Sequence, residues 1–189
     1  MGRWEPGARG RLGEAAMELF AERGFEGTTV SAIAERAGVT ERTFFRHFAD
    51  KREVLFSGAD DARDVLLRTI AEAPPTQPLL EVITAAMQVI AEEAFSDHLE
   101  QARARQAIIS SNAELREREM LKFAVVTTEL AEAVRSRGVP EPAATLTAEL
   151  GAILFRVSLH RWLEADNDRP LAELITDSLQ HLRAVTSPA

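Results

Sequence analysis

The 189-residue chain contains no cysteine. That excludes disulfides and thiolate metal sites, and it fits a reducing cytoplasm, the expected compartment. No apolar run approaches the ~18 residues needed to span a bilayer, so no membrane partner is expected. The first residues, MGRWEPGARGR, lack the apolar region of a signal peptide. Sustained apolar–polar alternation is missing and β-branched residues do not cluster, so nothing reads as a strand. The four histidines, His47, His98, His160 and His181, are scattered without a His-x-x-x-His pair. There is no phosphate-cradling glycine loop and no nucleophile elbow. The adjacent carboxylates Asp60-Asp61 and Glu92-Glu93 do not face one site on a helix. No Glu-x-x-His spacing suits a carboxylate-bridged metal bundle. An enzyme, a metal site and a cofactor are therefore not expected.

What is present is helical periodicity. Hydrophobic residues make up 46% of the chain, enough for a substantial core, while the ten glycines and eight prolines sit mostly between periodic segments. There is no internal repeat and no low-complexity tract. The formal net charge is −8, unpromising at first for a nucleic-acid partner. Its distribution says otherwise. Residues 1–52 carry nine Lys/Arg against eight Asp/Glu, whereas the remainder carries 13 against 22. The acidity lies outside the N-terminal quarter, where basic residues on one face can still neutralise phosphates. An acidic body repels DNA and favours one docking orientation.

The densest signal runs from Phe25 to Lys51. Thr28 and Thr29 precede Val30, Ile33, Ala34 and Ala37, a capping residue before apolar spacings of three and four. Gly38 is placed to end that helix in the left-handed conformation. Thr40 is an N-cap for a second short helix, Glu41 to about Phe48. Phe44 and Phe48 share its inner face, leaving Glu41, Arg42, Phe45 and Arg46 on another. Asp50 and Glu53 form a capping-box pattern for a long following helix, with Lys51 free at its first position. Upstream, Leu12, Ala15, Ala16, Leu19 and Phe20 mark an amphipathic helix ending near Arg23-Gly24. Two short helices around a glycine-containing turn make a helix-turn-helix, which presents a polar helix to the DNA major groove.

The remaining segments also read as helices. Val54, Leu55, Ala62, Val65, Leu66 and Ile70 continue from Asp50 until Pro74-Pro75. Further helices are marked by Leu79–Ala94, about Leu99–Ile109, Leu115–Val134, Thr145 to about Ala165, and the stretch after Pro170. The fold class is all-α: three helices in residues 1–52 and six in residues 53–189.

The string EAAMELFAERGFEGTTVSAIAERAGVTERTFFRHFADKREVLF resembles the N-terminal domain of the TetR family of bacterial transcriptional regulators. LFAERG, TTV, the AGVT turn and the aromatic-rich helix followed by Lys agree without a gap from Leu12 to Phe56. The resemblance implies a DNA-binding head plus a ligand-binding and dimerisation bundle. It implies a homodimer on a palindromic double-stranded operator, probed by heads about 34–36 Å apart. A repressor released by a small-molecule effector is the leading expectation. An activator, or a helical scaffold without DNA binding, are the alternatives.

Residue roles follow. Arg42 suits a bidentate guanine contact and Glu41 an acceptor for cytosine. Thr29, Ser31, Thr40, Phe45 and Arg46 complete the candidate reading surface. Phe45 replaces the family's usual Tyr and so lacks a phenol for phosphate. The resemblance assigns phosphate contact to His47 and Lys51, although His47 packing as a neutral ring stays open. Arg3, Arg9 and Arg11 read as a basic arm, with Trp4 a packing anchor. For the effector the candidates are Met87, Ile90, Met120, Phe123, Thr127 and Phe155, with His98, Arg103 and Gln106 as polar contacts. Plain core packing is the competing reading. For self-association they are Leu150, Leu154, Arg161, Leu171, Ile175, Ser178, Leu179 and Leu182, in the final two helices, which would pair isologously. Ordinary core helices are the alternative there.

Overall fold

The computed structural model describes residues 7–96 and 98–186, and among these every regular element is helical. The elements are α1 (Ala8–Arg23), α2 (Val30–Arg36), α3 (Glu41–His47), a 3-10 turn (Glu53–Phe56), α4 (Ala59–Glu72), α5 (Leu79–Ile90), α6 (Leu99–Ser111), α7 (Ala113–Ser136), α8 (Ala143–Leu163) and α9 (Leu171–Thr186). A π-helical segment, Ala91–Phe95, follows α5. Nine α-helices among the described residues agree with the periodicity. One boundary does not. Asp50 opens no long helix: its Oδ1 accepts from Arg52 N and Glu53 N, but a 3-10 turn follows, and α4 starts only at Ala59. The Glu53 carboxylate accepts from Arg118 Nε at 2.6 Å, so the side chain that a capping box needs is drawn to another partner. Arg3 and Trp4 of the expected arm lie outside the described residues.

The chain divides into two compact units. The first comprises residues up to Ser57 together with Ala104–Glu119. The second comprises Gly58–Arg103 and the chain from Met120 onward. The first unit thus extends beyond the 1–52 span read from the sequence. Its core joins Leu12, Ala16, Leu19 and Phe20 of α1 to Ile33, Phe44, Phe48, Val54, Leu55 and Phe56, and adds Ile109 and Leu115. Polar ties hold residues 104–119 there. Arg118 bonds Glu53, Arg52 Nη2 lies 2.7 Å from Glu114, and Asn112 Nδ2 donates to Glu26 at 2.9 Å. Arg105 donates to the Leu55 carbonyl and stands over the Phe56 ring at 5.3 Å. Burial holds its guanidinium below the ordinary arginine range, against the pull of Glu119.

In the second unit α5 packs on α4, α8 and α9, and α8 packs on α9. Val82, Ile83, Ala86, Met87 and Ile90 meet Leu130, Val134, Ala148, Trp162, Leu171, Leu174 and Ile175. Ser158 fills a buried polar gap between α8 and α9, donating or accepting at 2.8 Å with Ser178 and bonding the Leu154 carbonyl. Asp177 binds Arg169 at 2.7 Å and Arg161 at 3.5 Å. The Arg169 guanidinium holds the Asp177 carboxyl below the usual range. A lowered folded-state value means the contribution is full above the unfolded pKa and is lost as pH falls through the folded one. Acid denaturation followed by helicity should therefore show a smaller loss below pH ~4 in Asp177→Asn than in the wild type; equal limbs would remove Asp177 from that transition.

Candidate nucleic-acid interface

The helix-turn-helix is built from local rules. Thr29 Oγ1 accepts from Ala32 N at 3.2 Å and caps α2. Gly38 at φ +66 supplies the left-handed residue after it, with its N–H on Glu35 O, while Val39 N returns to Ala34 O at 2.9 Å. Thr40 then caps α3 by accepting from Thr43 N at 3.2 Å. Both caps and the turn agree with the sequence reading.

The two faces of α3 separate cleanly. Phe44 is 0% exposed and packs against Phe48 with ring centroids 5.5 Å apart. Its neighbour Phe45 is 55% exposed, on the surface that also carries Glu41, Arg42 and Arg46. Among the described residues neither Arg42 nor Arg46 makes an ion pair or hydrogen bond. Ser31 on α2 and its N-cap Thr29 are exposed. Unpaired guanidiniums keep their donors for phosphate oxygens or base edges.

Three expected contacts fall elsewhere. Lys51 is not free: its Nζ donates to Phe25 O at 2.8 Å and Thr28 O at 3.1 Å, because its flexible stem folds back onto the α1–α2 turn. The half-buried His47 has its Nε2 out of solvent without a hydrogen-bond partner among the described residues, so it follows the packed-ring alternative. Arg9 and Arg11 belong to α1 instead of an extended arm; Arg9 donates to Ser57 O at 2.7 Å and Arg11 to Ala37 O at 3.4 Å.

The effector candidates converge only in part. Met87 and Ile90 are core, whereas Met120 is 72% exposed and His98 is exposed. Arg103 is spent on the carbonyls of Leu163, Glu164 and Asn167, where it caps the end of α8. Gln106 lies in the first unit near Glu119, and the Thr127 hydroxyl donates to Phe123 O at 2.9 Å. Phe123 and Phe155 meet at 6.5 Å between centroids, and Phe155 packs against the core cluster that holds Met87 and Ile90. Two residues missed in the sequence extend this group: Phe95 lies 6.4 Å from Phe155 and 5.5 Å from Trp162. The seven-residue spacing of Phe155 and Trp162 on α8 was the available signal. Separately, an open cleft of about 250 Å³ is lined by Thr69, Glu72, Ala73, Gln77, Val82 and Ala85, none of them a candidate.

The self-association set is also out of phase. Leu154, Leu171, Ile175, Ser178 and Leu179 are buried within the protomer, and Arg161 is tied to Asp177. Leu150 and Leu182 are half-buried. The apolar residues that α8 exposes are Leu146, Ile153 and Val157, and α9 exposes Val185. No helix among the described residues is long and apolar enough to cross a membrane, and no cluster there has the makings of a metal site.

A capped helix-turn-helix with an unpaired basic face, carried by an all-helical chain, defines a DNA-binding protein of the major-groove class. Residues 12–57 match the family model described as bacterial regulatory proteins, tetR family, and residues 77–187 match that of the MftR C-terminal domain. The chain belongs to the TetR family and is a DNA-binding transcriptional regulator, not an enzyme. It is similar to the transcriptional activator FasR of Mycolicibacterium smegmatis, 30% identical over 86% of this chain and 74% of that protein. It is also similar to the regulator TcmR of Streptomyces glaucescens, 37% identical but over only 43% of this chain and 36% of TcmR. Among solved structures, the repressor FadR of Thermus thermophilus, in complex with lauroyl-CoA, aligns with a TM-score of 0.56 at 25% identity over 96% of both chains.

Proposed function

We propose that this chain is a homodimeric repressor that binds a palindromic operator through α3 and leaves it when a small molecule binds the second unit. The observation that carries the reading is the pairing, on one seven-residue helix, of a buried Phe44 with exposed, unpaired Arg42 and Arg46. Glu41, Arg42 and Phe45 read base edges, while Thr29, Ser31, Thr40 and Arg46 serve the backbone. The site of action is the cytoplasm. The first unit, residues up to Ser57 with Ala104–Glu119, serves as the reading head, and the second as the effector and dimer bundle.

The stripe of exposed Leu146, Ile153 and Val157 with half-buried Leu150 has spacings of four, three and four, suited to pairing with a second copy. The half-buried Phe123 and Phe155 rings beside Phe95 suit an apolar effector, and FadR's lauroyl-CoA is consistent with one. The effector acts by preferring a protein state that fits the operator poorly, with a coupling of about 1–3 kcal/mol. FasR, described as an activator, supports the opposite regulatory sign.

Mobility shift with the DNA upstream of its own gene tests this. Tight binding to a palindrome should fade steeply with salt. Arg42→Ala should cost about 1–3 kcal/mol and relax preference at one position per half-site. If no duplex outcompetes bulk DNA, the operator reading falls and a helical binding protein remains. A reporter driven from the bound promoter decides the sign: expression rising on deletion supports a repressor, falling an activator.

A further inference from the structure

The first turns of α7 belong to the first unit, and they meet the helix-turn-helix at both of its ends. Asn112, just before α7, caps it: Oδ1 accepts from Glu114 N at 3.0 Å and from Leu115 N at 3.2 Å. The same amide donates from Nδ2 to Glu26 Oε1 at 2.9 Å, on the chain that leads into α2. Glu114 and Arg118 are four apart and share one face of α7. That face holds the chain leaving α3. Glu114 Oε2 lies 2.7 Å from Arg52 Nη2. Arg118 Nε donates to Glu53 Oε1 at 2.6 Å, Nη2 pairs with the same carboxylate, and Nη1 lies 3.5 Å from Asp50 Oδ2.

Both partners of Arg118 sit in a closed turn. Asp50 Oδ1 already accepts from Arg52 N at 2.7 Å and Glu53 N at 3.1 Å, so a pull on either carboxylate moves the turn as a whole. Leu115, between Glu114 and Arg118, is 0% exposed in the core that holds Phe44 and Phe48. The end of α7 is thus anchored where α3 is anchored. Residues 26–53, which contain the whole helix-turn-helix, are fastened at entry and exit to one helix. Arg118 carries the exit side because a planar guanidinium reaches two carboxylates at once, which a point charge does not.

We propose that the start of α7 is a bracket on the helix-turn-helix and that Arg118 is its positioning residue: it holds the exit of α3 and so fixes how α3 is presented to DNA, without itself contacting DNA. The proposal rests on the operator-binding reading above. Losing Arg118 releases the turn after α3 but leaves Arg42 and Arg46 exposed on the outer face of that helix. Base-edge contacts depend on where α3 lies in the groove, whereas attraction to the backbone depends mainly on charge. The loss should therefore be sequence-selective.

The experiment compares wild type, Arg118→Met, Arg118→Lys and the double variant Arg118→Met/Glu53→Gln as full chains. Each binds the selected palindrome and a scrambled duplex across a salt series, after thermal melts that show it folded at the assay temperature. For Arg118→Met we expect operator affinity to fall about tenfold, scrambled-duplex affinity to stay near wild type, and the salt slope to hold. Arg118→Lys keeps the charge but not the fork and should lose less; it carries the comparison if the Met variant does not fold. The double variant has the net charge of wild type. A bracket predicts that it binds the operator as weakly as Arg118→Met, since both substitutions break one tie. Recovery to wild-type affinity would overturn the proposal in favour of a charge effect on DNA. Equal losses on both duplexes, with a slope reduced by about 0.9, would overturn it in favour of direct phosphate contact. A lowered melting point with an unchanged operator-to-scrambled ratio would leave Arg118 a stabilising residue only, and the bracket falls. A wild-type chain that prefers no duplex removes the operator reading itself, and this inference with it, before any variant is compared.

Discussion

Phe44→Ala should cost the chain about 3–5 kcal/mol of stability, and Phe45→Ala about 0.5 kcal/mol or less. The rings are neighbours in sequence and stand edge to face at 5.5 Å, yet one is 0% and the other 55% exposed. Phe44 is fully enclosed among Leu12, Leu19, Ile33, Phe48 and their neighbours in the core of the first unit. Truncating it removes transfer energy and leaves a cavity that rigid neighbours do not fill. Operator binding should vanish with it, because α3 has no other large buried anchor within its seven residues. Phe45→Ala removes surface that water already touches. Its melting curve should overlay wild type while operator affinity drops, since the ring is offered to a thymine methyl or a sugar edge. Denaturant melts and mobility shifts on the same preparations read both effects. A strong destabilisation by Phe45→Ala would show that its exposure misrepresents its packing.

The second large effect concerns self-association. Ile153→Glu should give monomers by sedimentation while leaving the helical melt of each protomer nearly unchanged. A charge at a side chain 42% exposed costs little in the free protomer, yet it desolvates badly between two copies. Losing the second head should lower apparent affinity for the two-half-site operator by about 10²–10⁴-fold, the gain that linkage supplies. Leu179→Glu should behave differently. Leu179 is 8% exposed inside the protomer, so a carboxylate there should destabilise the fold by about 3 kcal/mol or more before it bears on association. If Ile153→Glu remains dimeric at full affinity, the interface lies on another face.

Much of the architecture was legible in the sequence. The caps at Thr29 and Thr40, the turn at Gly38, and the division of α3 into a Phe44/Phe48 face and an Arg42/Arg46 face all depend on residues within four positions of one another. Local steric and capping rules act over that distance, so the chain determines them by itself. The same holds for the helical class and for most helix ends, where proline, glycine and asparagine interrupt the periodicity. At α7, for example, Asn112 Oδ1 accepts from Glu114 N and Leu115 N.

Only tertiary structure decided the rest. α8 carries two apolar stripes of nearly equal periodicity: Ala144, Ala148, Gly151 and Leu154 are buried, whereas Leu146, Ile153 and Val157 are exposed and Leu150 is half-buried. Periodicity reports that a face is apolar, not which neighbour covers it, so the sequence reading mixed the two. Lys51 and Arg103 have long stems whose end points depend on carbonyls 23 and more residues away. Residues 104–119 join the first unit through Ile109, Leu115, Arg105 and Arg118, contacts set by chain folding over separations such as the 50 residues from Arg105 to Leu55 and the 65 from Arg118 to Glu53. By itself the sequence determined a helix-turn-helix regulator; the tertiary structure decided which of its cations remain for DNA and which are spent holding the head together.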